Sequence, residues 1–308
     1  MSADNLEAEA ADNCCASCGI TEVDEIKLKE CDDCDLVKYC SDACKEDHRP
    51  EHEAKCKERS AELRDEILFK QPESSHDGDC PICCLPIPID IQKSVLQSCC
   101  SKTICKGCSH AHKLRQLQKN IPRTCPFCRH PVPKTDEEAN KIRMKRVEAN
   151  DSAALCKTGF IHYDEGEYDS SFKYWTKAAE LGDAIAHYNL SILYSRGHAV
   201  GVEKDEMKQV YHLEEAAIQG HPQARYNLGC HEANNGRFER AVKHFIIAAN
   251  LGEDGSIQKL KKYYKRGDVS KDDFAAALRA HHAAVNEAKS PQREIAAAWA
   301  RRQLSKQK

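Results

Sequence analysis

The chain has 308 residues, 41% of them hydrophobic and 31% charged, with a net charge of −3 at pH 7. That length suits two or three domains, and the charge supplies no electrostatic drive towards nucleic acid, which is not an expected partner. No apolar run approaches the length of a membrane span, so no membrane partner is expected either. The opening MSADNLEAEAADN is acidic and polar; it is expected to be neither a secretion signal nor a transit peptide, with residues 1–12 a disordered acidic tail and the compartment cytoplasmic or nuclear.

Cysteine dominates the first half. Of 19 cysteines, 17 lie between Cys14 and Cys128. A disulfide scaffold needs an oxidising compartment, and nothing directs this chain to one. Five CxxC pairs (Cys15–Cys18, Cys31–Cys34, Cys80–Cys83, Cys105–Cys108 and Cys125–Cys128) read instead as zinc knuckles, because two thiolates on one tight turn can point at one tetrahedral ion.

Residues 13–58 form the first unit. Its ligand run is Cys15, Cys18, Cys31, Cys34, Cys40, Cys44, His52 and Cys56. The run resembles the MYND finger, with all eight positions filled in order. The resemblance implies interleaved sites, Cys15, Cys18, Cys40 and Cys44 holding one zinc and Cys31, Cys34, His52 and Cys56 the other. His48 competes with His52, but His52 fits the family spacing. Fingers of this kind mostly dock peptides, often proline-containing, and no motif here suggests catalysis. Residues 59–76 are a linker, in which ERSAELRDEILFK (from Glu58) fits a helix and QPESSHDGD breaks it.

Residues 77–131 carry Cys80-x2-Cys83, Cys99 and Cys100, Cys105-x2-Cys108 and Cys125-x2-Cys128. This pattern resembles a RING finger, in which ligand pairs alternate between two ions. The resemblance implies one complete site of Cys80, Cys83, Cys105 and Cys108. The second takes Cys125 and Cys128 plus two ligands from SCCSK, where the usual cysteine aligns with Cys100 and the usual histidine with Lys102. Lysine offers no free lone pair when charged. Cys99 is the nearest unused thiol, provided the backbone kinks so that adjacent side chains converge; His110 and His112 are rivals, and a three-ligand or empty second site is the remaining alternative. Four zinc ions are expected in all, two per finger. Cys14 and Cys84 have no assigned role.

The same resemblance implies how such a finger works as a ubiquitin ligase. Ile82 inside the first CxxC, Pro126 inside the last and Arg129 after it stand where the family grips a ubiquitin-conjugating enzyme and its ubiquitin, with Leu117 in the intervening loop a further candidate.

Thr135-x-x-Glu138 reads as a capping box opening a linker helix over residues 132–149. The second half then repeats itself: Ala178-Ala179…Gly182, Ala216-Ala217…Gly220 and Ala248-Ala249…Gly252, with Ala186 aligned to Ala224, Tyr188 to Tyr226 and Leu190 to Leu228. These features resemble Sel-one-like repeats, relatives of the tetratricopeptide repeat, over residues 150–289. Stacked helix pairs of that kind form a curved solenoid that commonly binds peptides. Tyr174, Trp175, Tyr188 and Tyr226 read as core rather than binding residues, as do Cys156 and Cys230. His281 and His282 read as helix surface. Residues 290–308 form a last helix and tail, with Ser290 capping and Pro291 in the first turn.

The expected protein is multidomain, two small cross-braced zinc fingers (α+β, metal-stabilised) followed by an all-α helical-repeat solenoid. The expected function is a ubiquitin ligase that recruits a charged ubiquitin-conjugating enzyme and holds a protein substrate through the repeats or the first finger. The alternative is a non-catalytic zinc-dependent adaptor. The helical half is expected to stay folded when a chelator unfolds residues 13–131.

Overall fold

A computed structural model describes residues 13–197 and 202–305. The acidic segment 1–12 lies outside the described residues. The chain divides at Lys70 into two compact units, each described separately.

In the first unit, β1 (Lys29–Glu30) pairs antiparallel with β2 (Lys38–Tyr39). Helix α1 (Asp42–Leu68) opens on Ser41, whose hydroxyl accepts from the Cys44 N–H, and carries Asp42 in its first turn. It continues without a break through the stretch read as a helical linker. Arg59 of α1 reaches back to Asp35, just beyond a knuckle, with two hydrogen bonds of 2.7 and 2.8 Å. The buried core is thin: Cys15, Cys31, Cys34 and Tyr39. So small a core cannot hold a fold by apolar burial, which leaves the work to metal.

The second unit joins the other finger to all the remaining helices. Strands β3 (Ser94–Leu96) and β4 (Thr103–Cys105) pair antiparallel, Val95 opposite Ile104. Helix α2 (Lys106–Gln118) starts where β4 ends, the Cys105 sulfur accepting from the Cys108 N–H. Helix α3 (Asp136–Glu148) is capped as its sequence suggests, Thr135 accepting from Glu138 N–H while the Glu138 carboxylate accepts from Lys134 N–H.

Antiparallel pairs follow: α4 (Ser152–Asp164) on α5 (Tyr168–Glu180), α6 (Ala184–Arg196) on α7 (Glu206–Ile218), α8 (Pro222–Asn234) on α9 (Phe238–Asn250). Helices α10 (Asp254–Arg266) and α11 (Lys271–Glu287) cover α9 at the far end. The repeated alanines Ala178, Ala216 and Ala248 are completely buried, and so are Ala186 and Ala224. At these positions the helices meet over a buried methyl. Each repeat glycine, Gly182, Gly220 and Gly252, takes a positive φ of 78–92° to turn the chain, a conformation that costs a residue with Cβ.

Trp175 is core, its indole N–H donating to the Cys156 carbonyl at 3.1 Å. Tyr188 and Tyr226 are half-buried in the same stack. His281 differs from its reading as surface: it is 8% exposed and bonds Asp254 at 3.0 Å, because α10 packs across it.

The finger is fastened to this solenoid rather than tethered by a free linker. The strap 71–76 lies along it: Gln71 accepts from the Asn250 amide at 3.0 Å, His76 N–H donates to the Gly220 carbonyl at 3.1 Å, and the His76 ring stacks on His221 at 4.3 Å. Arg146 of α3 donates to Ser101 at 2.8 Å and also pairs with Asp151. The second finger and the helices thus make one compact unit, so contacts between them stand against the independence expected of the helical half.

Candidate metal centres and docking residues

Local backbone geometry places the sulfurs. In the first knuckle, Gly19 has a φ of 74° and donates its N–H to the Cys15 carbonyl at 2.8 Å, while Cys15 N–H donates to Ile20 at 2.8 Å. The same turn recurs at Cys80, where Cys84 has a φ of 53° and bonds Cys80 at 2.8 Å, and at Cys125, where Arg129 has a φ of 62° and bonds Cys125 at 3.0 Å. Each turn aims two thiols the same way. A non-glycine residue in this region costs on the order of 1 kcal/mol, so Cys84 and Arg129 hold conformations that their surroundings enforce.

SCCSK adopts that turn too. Ser101 has a φ of 51° and donates to the Gln97 carbonyl at 2.8 Å, and Gln97 N–H donates to Lys102 at 3.0 Å. Gln97 thus occupies the place of a first knuckle cysteine and Cys100 that of the second. Cys99, one residue earlier, supplies the other thiol. Its sulfur lies 3.3 Å from that of Cys128, and the Cys100 sulfur lies 3.9 Å from that of Cys125. Lys102 is exposed. The rival histidines are engaged elsewhere, His112 with the Thr124 hydroxyl at 3.4 Å and His110 against the Trp299 ring.

Among the described residues, four groups that contain cysteine converge, the ligand atoms of each within 4.8 Å: Cys15, Cys18, Cys40 and Cys44; Cys31, Cys34, His52 and Cys56; Cys80, Cys83, Cys105 and Cys108; Cys99, Cys100, Cys125 and Cys128. Tetrahedral zinc with bonds of about 2.3 Å requires sulfurs about 3.8 Å apart. The separations Cys18–Cys40 3.5 Å, Cys31–Cys56 3.7 Å, Cys40–Cys44 3.6 Å and Cys83–Cys105 3.9 Å match that edge.

Charge points the same way. Burial pushes the Cys15 thiol up, but the N–H groups of Cys18, Cys40 and Ser17 outweigh it and bring it down to about 6. Its neighbour Cys40 is pushed up to about 12 by the Cys18 and Cys44 sulfurs. Burial is likewise outweighed by backbone N–H groups at Cys80, lowered to about 7, whereas burial and the Cys31 and Cys34 sulfurs raise Cys56 to about 12. One thiolate is welcomed and its companions repelled. A divalent cation at the centre removes that conflict and suits all four as thiolates. Three of the groups offer four thiols, and the group with His52 offers three thiols and an imidazole. Both donor sets fit tetrahedral zinc, so the residues present suit four zinc sites.

On the second finger Ile82 is 42% exposed at the tip of its knuckle. Pro126 is half-buried in the last knuckle, beside the 44%-exposed Phe127, and the Arg129 side chain is exposed. Leu117 sits on helix α2, not in a loop, and is 60% exposed. Sequence reasoning missed Arg293, 210 residues from Cys83, whose guanidinium donates to the Cys83 sulfur at 3.4 Å. Its only sequence signal was the Ser290-Pro291 helix start.

Residues 15–56 match the MYND finger family, and residues 152–183, 184–221 and 222–253 each match the Sel1 repeat. The chain therefore carries a MYND finger and three Sel1 repeats, each repeat one helix pair. A curated relative, the putative RING finger protein ORF96 of Ostreid herpesvirus 1, is 35% identical over 60 residues. That match covers 20% of this chain, and the chain spans a quarter of the relative's length. Among solved structures, a Sel1 repeat protein from Oxalobacter formigenes aligns with a TM-score of 0.42 at 23% identity, covering 56% of this chain and 70% of that one. A protective antigen of uropathogenic Escherichia coli displaying an SLR fold aligns with a TM-score of 0.43 at 21% identity, covering 56% and 36%. Among the described residues, no helix is long and apolar enough to cross a membrane. Zinc-held fingers joined to Sel1 repeats make a zinc-dependent protein-interaction molecule.

Proposed function

We propose that the molecule is a RING-type ubiquitin ligase, residues 77–131 binding a charged ubiquitin-conjugating enzyme while the repeats (150–289) or the first finger (13–58) hold the substrate. The sixteen converging cysteine and histidine residues would be the zinc ligands. The observation that carries the reading is the four-thiol cluster of Cys99, Cys100, Cys125 and Cys128. It supplies a full ligand set despite Lys102, and so leaves both knuckles able to present Ile82, Pro126 and Arg129. The relative named a putative RING finger protein lends support.

Zinc would hold the two loops in register and take no chemical part. Ile82 and Pro126 would give the conjugating enzyme an apolar footing, and Arg129 would donate charged hydrogen bonds that hold ubiquitin in one pose. With the thioester so oriented, a substrate lysine attacks directly; rate comes from orientation, with no cysteine of this chain as carrier.

The test is discharge of ubiquitin from several charged conjugating enzymes to free lysine by the full chain. Acceleration is expected with at least one, and Ile82→Ala and Arg129→Ala should each reduce it at least about tenfold, about 1.4 kcal/mol. No acceleration by zinc-loaded protein with any enzyme would leave the non-catalytic adaptor as the reading.

A further inference from the structure

The two zinc sites of the second finger have different surroundings. Around Cys99, Cys100, Cys125 and Cys128 the thiols are half-exposed or exposed except for Cys125. Cys80, Cys105 and Cys108 are buried, and Cys83 is half-buried. A zinc with four thiolates carries two net negative charges, and water can screen them only at the open site. The enclosed site needs a cation or hydrogen-bond donors from the protein.

Helix α12 (Pro291–Ser305) brings one. It packs on α2, with Ala296 buried and Trp299 beside His110 and under Lys113. At its first turn the Arg293 guanidinium donates to the Cys83 sulfur at 3.4 Å. It also donates to the carbonyls of Leu85 at 3.0 Å, Pro86 at 2.6 Å and Ala288 at 2.7 Å. Gln292 adds a bond to the Gly107 carbonyl at 3.2 Å. Gly107, between the ligands Cys105 and Cys108, is itself matched to this contact: a Cβ there would stand 3.0 Å from the Arg293 backbone. The helix thus seats on both knuckles of one site.

We propose that Arg293 is an outer-shell residue of the Cys80, Cys83, Cys105 and Cys108 zinc site, its guanidinium offsetting thiolate charge and bracing the knuckle that carries Ile82, so that the last helix of the chain completes a finger some two hundred residues earlier. Outer-shell partners of metal ligands typically change affinity 10–100-fold. Arg293 is a positioning residue, and its role stands whether or not the finger discharges ubiquitin.

The test uses the whole 308-residue chain loaded with four zinc ions and challenged with a chelating dye, while cysteine alkylation mapped by mass spectrometry reports which site opens. Arg293→Gln should release one ion in four at least about tenfold faster, with Cys80, Cys83, Cys105 and Cys108 alkylated first and the other three sites unchanged. Arg293→Lys, which keeps the charge but not the fork, should recover part of the loss. After cobalt substitution, the sulfur-to-metal charge-transfer band of that site should shift in Arg293→Gln. Trp299→Ala loosens the same helix away from the knuckles and should move the same ion by a smaller factor. Wild-type release in Arg293→Gln, or acceleration spread evenly over all four sites, overturns the proposal. If Arg293→Gln does not fold, wild-type release in Trp299→Ala overturns it.

Discussion

The two fingers use nearly the same knuckle and depend on their surroundings in opposite ways. In the first, the ligands are most of the core, and the helix that closes it, α1, carries His52 and Cys56 itself. The second is built into a larger unit: a strap along the repeats, Arg146 on Ser101 and Arg293 on the Cys83 knuckle. Metal sites of like spacing can thus be closed by their own finger's helix or braced by distant chain.

Chelation should expose the contrast most strongly. Structural zinc contributes on the order of 10–16 kcal/mol in small fingers, so residues 13–58 should lose all amide protection in hydrogen exchange. In the second unit the loss should spread beyond residues 77–131 to α12 and to the strap around His76, while α8 and α9 stay protected. Protection of α12 unchanged by chelator would break the comparison.

Within the helical part, Trp175→Ala and Phe245→Ala remove fully buried rings and should each cost about 3–5 kcal/mol in denaturant unfolding. Zinc content should not change. Loss of zinc in these variants would mean that the repeats hold the ions as well as the finger.

Acid should weaken the repeats through buried histidines. Burial, then the nearby Arg225 and Arg240, lowers His244 to about 3; burial, then His187 and Lys208, lowers His212 to about 4. A depressed histidine contributes stability that is complete above its unfolded value near 6.5 and lost as pH falls towards the folded value. The slope is about 1.4 kcal/mol per pH unit for each proton. His244→Gln should flatten the stability profile between pH 6.5 and 3 relative to wild type; an unchanged slope would remove His244 from this account.

The smallest effect is expected at Arg59. It joins Asp35 in the first finger with the same fork that Arg293 offers in the second, but in solvent. Arg59→Ala should lower the thermal midpoint slightly, less so in high salt, with all four zinc ions retained. An ion lost from this variant would place Arg59 in the same class as Arg293.

Much of this was legible beforehand for local reasons. Thiol spacing on a tight turn and a small-residue period in stacked helices are properties of short segments, so the knuckles and the repeats could be read from the residues. The convergence of Cys99 and Cys100 was legible only as a requirement; the turn that meets it needs Ser101 in a left-handed conformation that no residue type announces. His281 was misread because the helix that covers it, with Asp254, lies some twenty-seven residues away.

The sequence by itself determined which atoms can bind metal and which faces of the helices are apolar, because both are set by residue type and by periods of three or four residues. Tertiary structure alone decided that the second finger belongs to the solenoid and that Arg293 reaches Cys83. Those outcomes depend on the path of more than two hundred residues and on the close approach of Arg293 to Gly107, where a side chain would collide, neither of which any local pattern encodes.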